Sequence, residues 1–260
     1  MPELPEVETI VRGLRPRLVG RRILTAECTC ARVLRGDPAQ LAGLRVAAIN
    51  RRAKFMVVEF EETPIRLTIH LGMTGKLLAD GVPGTHTHAI FTLDDGVLLY
   101  DDVRQFGRIE ISEGPNVRVG VLGPEPLELP AGEFAARLRK HKVRIKALLL
   151  NQKFLGGVGN IYADEALHRA GIQPRADSSR LSRPRAFRLH AAIQEVLRES
   201  IEHGGSSISD YVDSAGERGE FQESHRVYGR EGLPCPACGA PIKRIVVAQR
   251  GTHYCPKCQR

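Results

Sequence analysis

Three features of this 260-residue sequence predict an α+β protein of several domains. Up to about residue 125, short alternating or apolar runs are separated by Gly, Pro and Asp turns, the pattern of a β-sandwich or barrel behind one leading helix. Beyond Pro130 the apolar period becomes helical. Near the end, Cys235-x2-Cys238 and Cys255-x2-Cys258 carry zinc-ribbon spacing. The expected division is 1–125 for the helix and strands, 126–222 for the helical domain and 223–260 for the metal finger.

The chain opens MPELPEVETI. Val7, Ile10, Val11, Leu14 and Leu18 recur at i, i+3, i+4 spacing, so a helix is expected from about Pro5. Pro and acidic residues suit its positive end. They do not explain why Pro2 directly follows Met1. Met before a small residue is clipped after synthesis, which would leave Pro2 as a free secondary amine. Ordinary α-amino groups have pKa values of roughly 7.7–8.0, so about a tenth is neutral at pH 7. A nearby helix dipole raises that fraction. Pro2 is therefore a candidate Schiff-base nucleophile, with Glu3 beside it to move protons.

The runs RVAAINRRAKFMVVEFE, IRLTIHLGMTGKLL, HAIFTLDDGVLLYDD and FGRIEIS supply the strands, and Asp94-Asp95-Gly96 marks a hairpin. Cys28 and Cys30 fall on a further strand as ordinary residues. Gly123–Pro130 has linker composition. AGEFAARLRKH, RIKALLLNQ and IYADEALHRAGI read as helices, interrupted by LGGVGN. A longer amphipathic helix follows and stops at Gly204 and Gly205. The polar stretch SDYVDSAGERGEFQES is expected to be a mobile loop.

Formal charge is +8, which favours nucleic acid or an anionic surface as partner. His225–Arg260 is the most one-sided segment, with seven Lys and Arg against Glu231. No run of 18 apolar residues exists, so no membrane span is expected, and no basic-then-apolar leader is visible. The cytoplasm is the expected compartment, where thiols bind metal rather than oxidise. Four thiolates would hold one structural Zn2+ and leave no position open to substrate. A segment this small needs the metal to fold. LGGVGNIY lacks dinucleotide-loop spacing; close approach to a DNA phosphate, or a plain helix–helix turn, suits it better. Lys54, His70, Met73 and Phe106 taken singly could each be ordinary surface or core residues.

The motifs MPELPEVET, RRAKF, HLGMTGKL, DVRQFGR, LGPEPL, GGVGNIYADEAL, VYGREGLPCPACG and QRGTHYCPKCQ occur in that order. Together they resemble the formamidopyrimidine-DNA glycosylase family, bacterial repair enzymes for oxidised purines. LPEVE favours this branch over the related endonuclease VIII branch. The resemblance spans the chain. It implies a β-sandwich headed by the N-terminal helix, a helix–two-turn–helix domain and a zinc finger. It also implies a bacterial, nucleoid-associated monomer acting on damaged double-stranded DNA by extruding the nucleotide.

By the same resemblance, Pro2 attacks the sugar, Glu3 acts as acid and base, and Lys54 and Arg250 assist β- and δ-elimination. His70, His86 and Asn160 contact DNA. Met73, Arg104 and Phe106 fill the space left by the extruded base, with Arg104 facing the orphaned cytosine. His141 stands where the family pattern has a DNA-contacting lysine, and Asn151 replaces the commoner Asp. The loop from Asp210 to Ser224 corresponds to a lesion-capping loop. A purely DNA-binding zinc-ribbon protein would need neither a free Pro2 nor Glu3.

Overall fold

The computed structural model describes residues 1–260. Helix α1 spans Leu4–Leu18. Nine strands follow: β1 (Ile23–Cys28), β2 (Leu34–Arg35), β3 (Val46–Arg52), β4 (Phe55–Phe60), β5 (Ile65–His70), β6 (Gly75–Ala79), β7 (Thr87–Leu93), β8 (Val97–Asp102) and β9 (Arg108–Glu113). Helices α2 (Val117–Gly120), α3 (Ala131–Arg139), α4 (Ile145–Leu149), α5 (Asn160–Arg169) and α6 (Arg183–Glu202) come next, then strands β10 (Lys243–Val247) and β11 (Arg250–Tyr254). The chain forms two compact units, 1–121 with 203–222, and 122–202 with 223–260. Residues 203–222, expected with the helices, thus pack with the first unit.

The first unit is a sandwich. One sheet has the order β1-β7-β8-β6 and the other β2-β9-β5-β4-β3. A single apolar core joins both sheets to α1, drawing Val7, Ile10, Val11 and Leu14 from the helix, Met56 and Val58 from β4 and Phe91 from β7. Alternation explains the inward faces: along β4, Met56, Val58 and Phe60 are buried while their neighbours are not. The Asp94-Asp95-Gly96 turn closes the β7–β8 hairpin as expected, with Gly96 at φ +93 and Leu93 N donating to its carbonyl at 3.0 Å. Two strand ends turn without glycine. Ala53 in the β3–β4 turn has φ 53, and Ala248 and Gln249 between β10 and β11 have φ 49 and 58. Both residues of the latter turn are left-handed, as a tight type I′ hairpin requires.

In the second unit α6 packs on α3 and α5. The stretch 123–130 is no loose linker. Gln194 Nε2 donates to Pro126 O at 3.0 Å, and His190 Nε2 lies 2.6 Å from Leu129 O, so α6 pins it. The LGGVGN break is stitched by Gln152, which accepts from Gly157 N at 2.9 Å and donates to Val158 O at 2.8 Å. No helix is long and apolar enough to cross a membrane.

Candidate active site and metal centre

Glu3 is the N-cap of α1 and forms a reciprocal capping box with Glu6. Glu3 N donates to Glu6 Oε2 at 2.7 Å, and both side chains are buried, 3% and 1% exposed. Glu6 Oε1 accepts from Ser206 N at 2.8 Å, and Tyr211 Oη donates to Gly204 O at 3.0 Å. Gly205 has φ +85, and a Cβ there would lie 3.0 Å from Glu6 Oε1, so glycine permits this approach. The result fixes the backbone carrying Pro2, which is buried while Met1 is exposed.

Lys54 occupies the β3–β4 turn and is 6% exposed. Arg51 ties that hairpin to α1: its Nε donates to Glu8 Oε2 at 2.8 Å, and its Nη1 to Ala53 O at 3.2 Å. Burial would raise the Glu8 pKa, but hydrogen bonds from Arg12 and Arg51 outweigh it and hold the carboxyl below its ordinary value. His70 ends β5 opposite Phe55, their rings 4.8 Å apart. Its Nδ1 accepts from Gly72 N at 3.1 Å, which places the proton on Nε2. Burial, then the charges of Lys54, Arg108 and Arg118, push its pKa down to about 4. His70 is a neutral N–H donor at pH 7, not a cation.

Met73 and Phe106, which sequence alone left open as core, are 41% and 49% exposed. Gly72 explains their proximity: at φ +63, a Cβ would come within 2.5 Å of Phe106 C and Gly107 N, so the two loops meet backbone to backbone. The Arg104 guanidinium lies 4.6 Å over the Phe106 ring. Fully buried Asp102 organises the group. It accepts from Thr74 Oγ1 at 2.5 Å, Gly107 N at 2.8 Å and Tyr100 Oη at 3.2 Å, while Thr74 Oγ1 accepts from Arg104 N at 3.1 Å. His86 is exposed, and its carbonyl accepts from Asp102 N at 3.0 Å.

In the second unit, Asn160 opens α5 and Arg250 opens β11. Asn160 Nδ2 donates to Gly251 O at 3.0 Å, leaving its buried Oδ1 without a partner. Lys146 reaches the same strand, with Nζ 3.2 Å from Gly251 O, 2.8 Å from Thr252 Oγ1 and 2.7 Å from Asp164 Oδ1. Asp164 also accepts from His253 N at 2.8 Å. A buried ion pair therefore sets the strand bearing Arg250. His141 is exposed on the turn after α3, edge-on to Phe154 at 5.6 Å. The Sγ atoms of Cys235, Cys238, Cys255 and Cys258 all lie within 4.8 Å of one another.

Three family models match in order: the formamidopyrimidine-DNA glycosylase N-terminal domain over residues 1–109, its H2TH domain over 122–212, and a zinc finger found in FPG and IleRS over 232–260. The chain is 59% identical to a formamidopyrimidine-DNA glycosylase of Solibacter usitatus, over 100% of both chains. It belongs to the formamidopyrimidine-DNA glycosylase family. The fold agrees. The crystal structure of the MutM (Fpg) protein from Thermus thermophilus matches with TM-score 0.91 at 44% identity, covering 99% of this chain and 98% of that one. A complex of Lactococcus lactis Fpg with DNA containing an abasic site also matches with TM-score 0.91, at 38% identity and 99% coverage of each chain.

Like its family, this glycosylase has one structural zinc. Zn–S bonds of about 2.3 Å in a tetrahedron put sulfurs roughly 3.8 Å apart. Cys235 and Cys258 Sγ are 3.9 Å apart, and those of Cys238 and Cys255 3.4 Å, so the four thiols fit the ion. Sequence reading missed Glu6, Asp102, Lys146 and Asp164 as supports. Only Glu6 carried a local signal, three residues from Glu3 at a helix start. The loop from Asp210 to Ser224, expected to be mobile, is densely hydrogen-bonded. Asp213 Oδ1 accepts from Ala215 N at 2.8 Å and Glu217 N at 2.9 Å, and Ala79 N donates to Ser214 O at 2.9 Å.

Proposed function

We propose that this chain, a DNA glycosylase of base excision repair by family, removes oxidised purines such as 8-oxoguanine and formamidopyrimidines through its N-terminal proline. The observation that carries the reading is the capped start of α1, where Glu6 holds the Glu3 backbone and the helix dipole points at Pro2. Removal of Met1 frees the Pro2 nitrogen. Its lone pair attacks C1′ of the extruded nucleotide, the bond to the base breaks, and the base leaves with a proton. Glu3 moves protons during base loss and ring opening. The product is an iminium linking Pro2 to C1′. That cation acidifies C2′, so loss of the C2′ proton expels the 3′ phosphate. A second elimination expels the 5′ phosphate and leaves a one-nucleotide gap.

Lys54 serves as a phosphate contact and proton donor in the first elimination, and Arg250 assists the second. Half-buried, cation-flanked His70 contributes a neutral Nε2–H bond to a phosphate oxygen, and Asn160 and His86 contribute others. His141, exposed, is a further DNA contact. Arg104, braced over Phe106, faces the orphaned cytosine, while Met73 and Phe106 fill the vacated stack. The protein acts as a monomer in the bacterial cytoplasm, on nucleoid DNA.

Incision of an end-labelled duplex with one 8-oxoguanine opposite cytosine tests this. Phosphate on both sides of a one-nucleotide gap is expected. Base release without incision would overturn the lyase steps, and faster incision at dihydrouracil would overturn the purine preference.

A further inference from the structure

One face of α5 is turned toward the finger along its whole length. Asn160 bonds Gly251 O, and Asp164 accepts from His253 N. Glu165 accepts from the backbone N–H groups of Arg226, Val227 and Tyr228 at 2.8–2.9 Å. Asp164 lies four residues after Asn160, and His168 lies four after Asp164 and three after Glu165, the spacing of neighbours on one helical face. His168, another turn on, completes the series. Its Nε2 lies 3.4 Å from Cys235 Sγ, and both residues are buried, 5% and 2% exposed.

The chemistry of the pair fixes its direction. A zinc-bound cysteine is a thiolate and can only accept, so Nε2 must carry the proton. Nothing competes for that proton at the other nitrogen, because Nδ1 has no partner. The donor also meets a need. Four thiolates around one divalent ion leave a formal charge of minus two in a small, partly buried site. N–H···S bonds disperse that charge and lower the tendency of sulfur to take a proton or react. Cys255 receives such a bond from its own turn, Cys258 N donating at 3.4 Å. Cys235 receives one from a helix far away in sequence.

We propose that His168 is a positioning residue of the zinc centre, donating Nε2–H to the Cys235 thiolate and so setting how firmly the finger retains its metal. The same bond joins the last turn of the helix that begins at Asn160 to the finger that carries Arg250.

The test compares the zinc-loaded wild-type protein with His168→Leu and His168→Gln. Leu keeps bulk without a donor, whereas Gln keeps an N–H. Chelator competition should show zinc held roughly 10–100-fold less tightly by the Leu variant, with partial recovery in the Gln variant. In the cobalt-substituted proteins, the sulfur-to-cobalt charge-transfer band should move to lower energy with Leu and part-way back with Gln. Loss of packing alone would not produce that order. Nitrogen NMR of the wild-type zinc protein should show His168 protonated at Nε2, and this reading holds even if a variant fails to fold. Protonation at Nδ1 instead, or unchanged zinc affinity and band position in the Leu variant, would overturn the assignment.

Discussion

Glu6 satisfies two buried N–H groups with one carboxylate, Glu3 N through Oε2 and Ser206 N through Oε1. Truncation to Ala strands both, and an unsatisfied buried donor costs about 1–3 kcal/mol. Glu6→Ala should therefore lose on the order of 2–4 kcal/mol in urea unfolding, and it should weaken trapping at Pro2 by loosening Glu3. Stability within about 0.5 kcal/mol of wild type would contradict this support role. At His70 the sign of the pH effect follows from its lowered pKa of about 4. The unfolded residue takes a proton near its ordinary pKa of about 6.5, while the folded one resists. Its contribution is complete above about pH 6.5 and is lost as pH falls through the interval toward 4. Proton NMR should titrate His70 near 4 in the free protein, and a midpoint near 6.5 would show that its ring is solvated instead.

Elements carry the next level. The strand that presents Arg250 is set by Lys146 and Asp164, both with fully buried side chains. Removing one partner of a buried pair costs roughly 3–5 kcal/mol, whereas replacing both with apolar residues of similar volume is often near neutral. Lys146→Met and Asp164→Leu should each destabilise by that amount, and the double variant should recover part of it in a denaturant cycle, because His253 N still loses its acceptor. Asp102 works the same way for the loop bearing Arg104 and Phe106, since it accepts from Thr74, Tyr100 and Gly107.

Such supports mark the limit of sequence reading. The period of Val7, Ile10, Val11 and Leu14 exposed α1, and CxxC spacing exposed the zinc ligands, because both signals are local. The pairing of Gly72 with the Phe106 backbone links loops 34 positions apart in the chain, and Ser206 lies 200 residues from Glu6. Neither leaves a short-range pattern. The left-handed turns at Ala53 and at Ala248–Gln249 were equally hidden, because glycine, their usual sign, is absent.

For the whole molecule, the metal and the N-terminus belong to different compact units. Stripping zinc should unfold 232–260 and sharply weaken DNA binding, because a small four-cysteine finger folds only with its ion. The sandwich should keep its strand signal, since its core is built from α1 and the two sheets. Circular dichroism and DNA titration with and without chelator check both halves.

The proposed nucleophile is the amine of Pro2. Borohydride reduces an iminium to a permanent link, so trapping on a duplex with 8-oxoguanine opposite cytosine tests it most directly. Wild-type protein with Met1 removed should become covalently joined to the DNA, and Pro2→Gly should trap far less. No trapping by wild type despite tight binding and a free Pro2, or a covalent link mapped to a residue other than Pro2, would rule out Pro2 as the nucleophile.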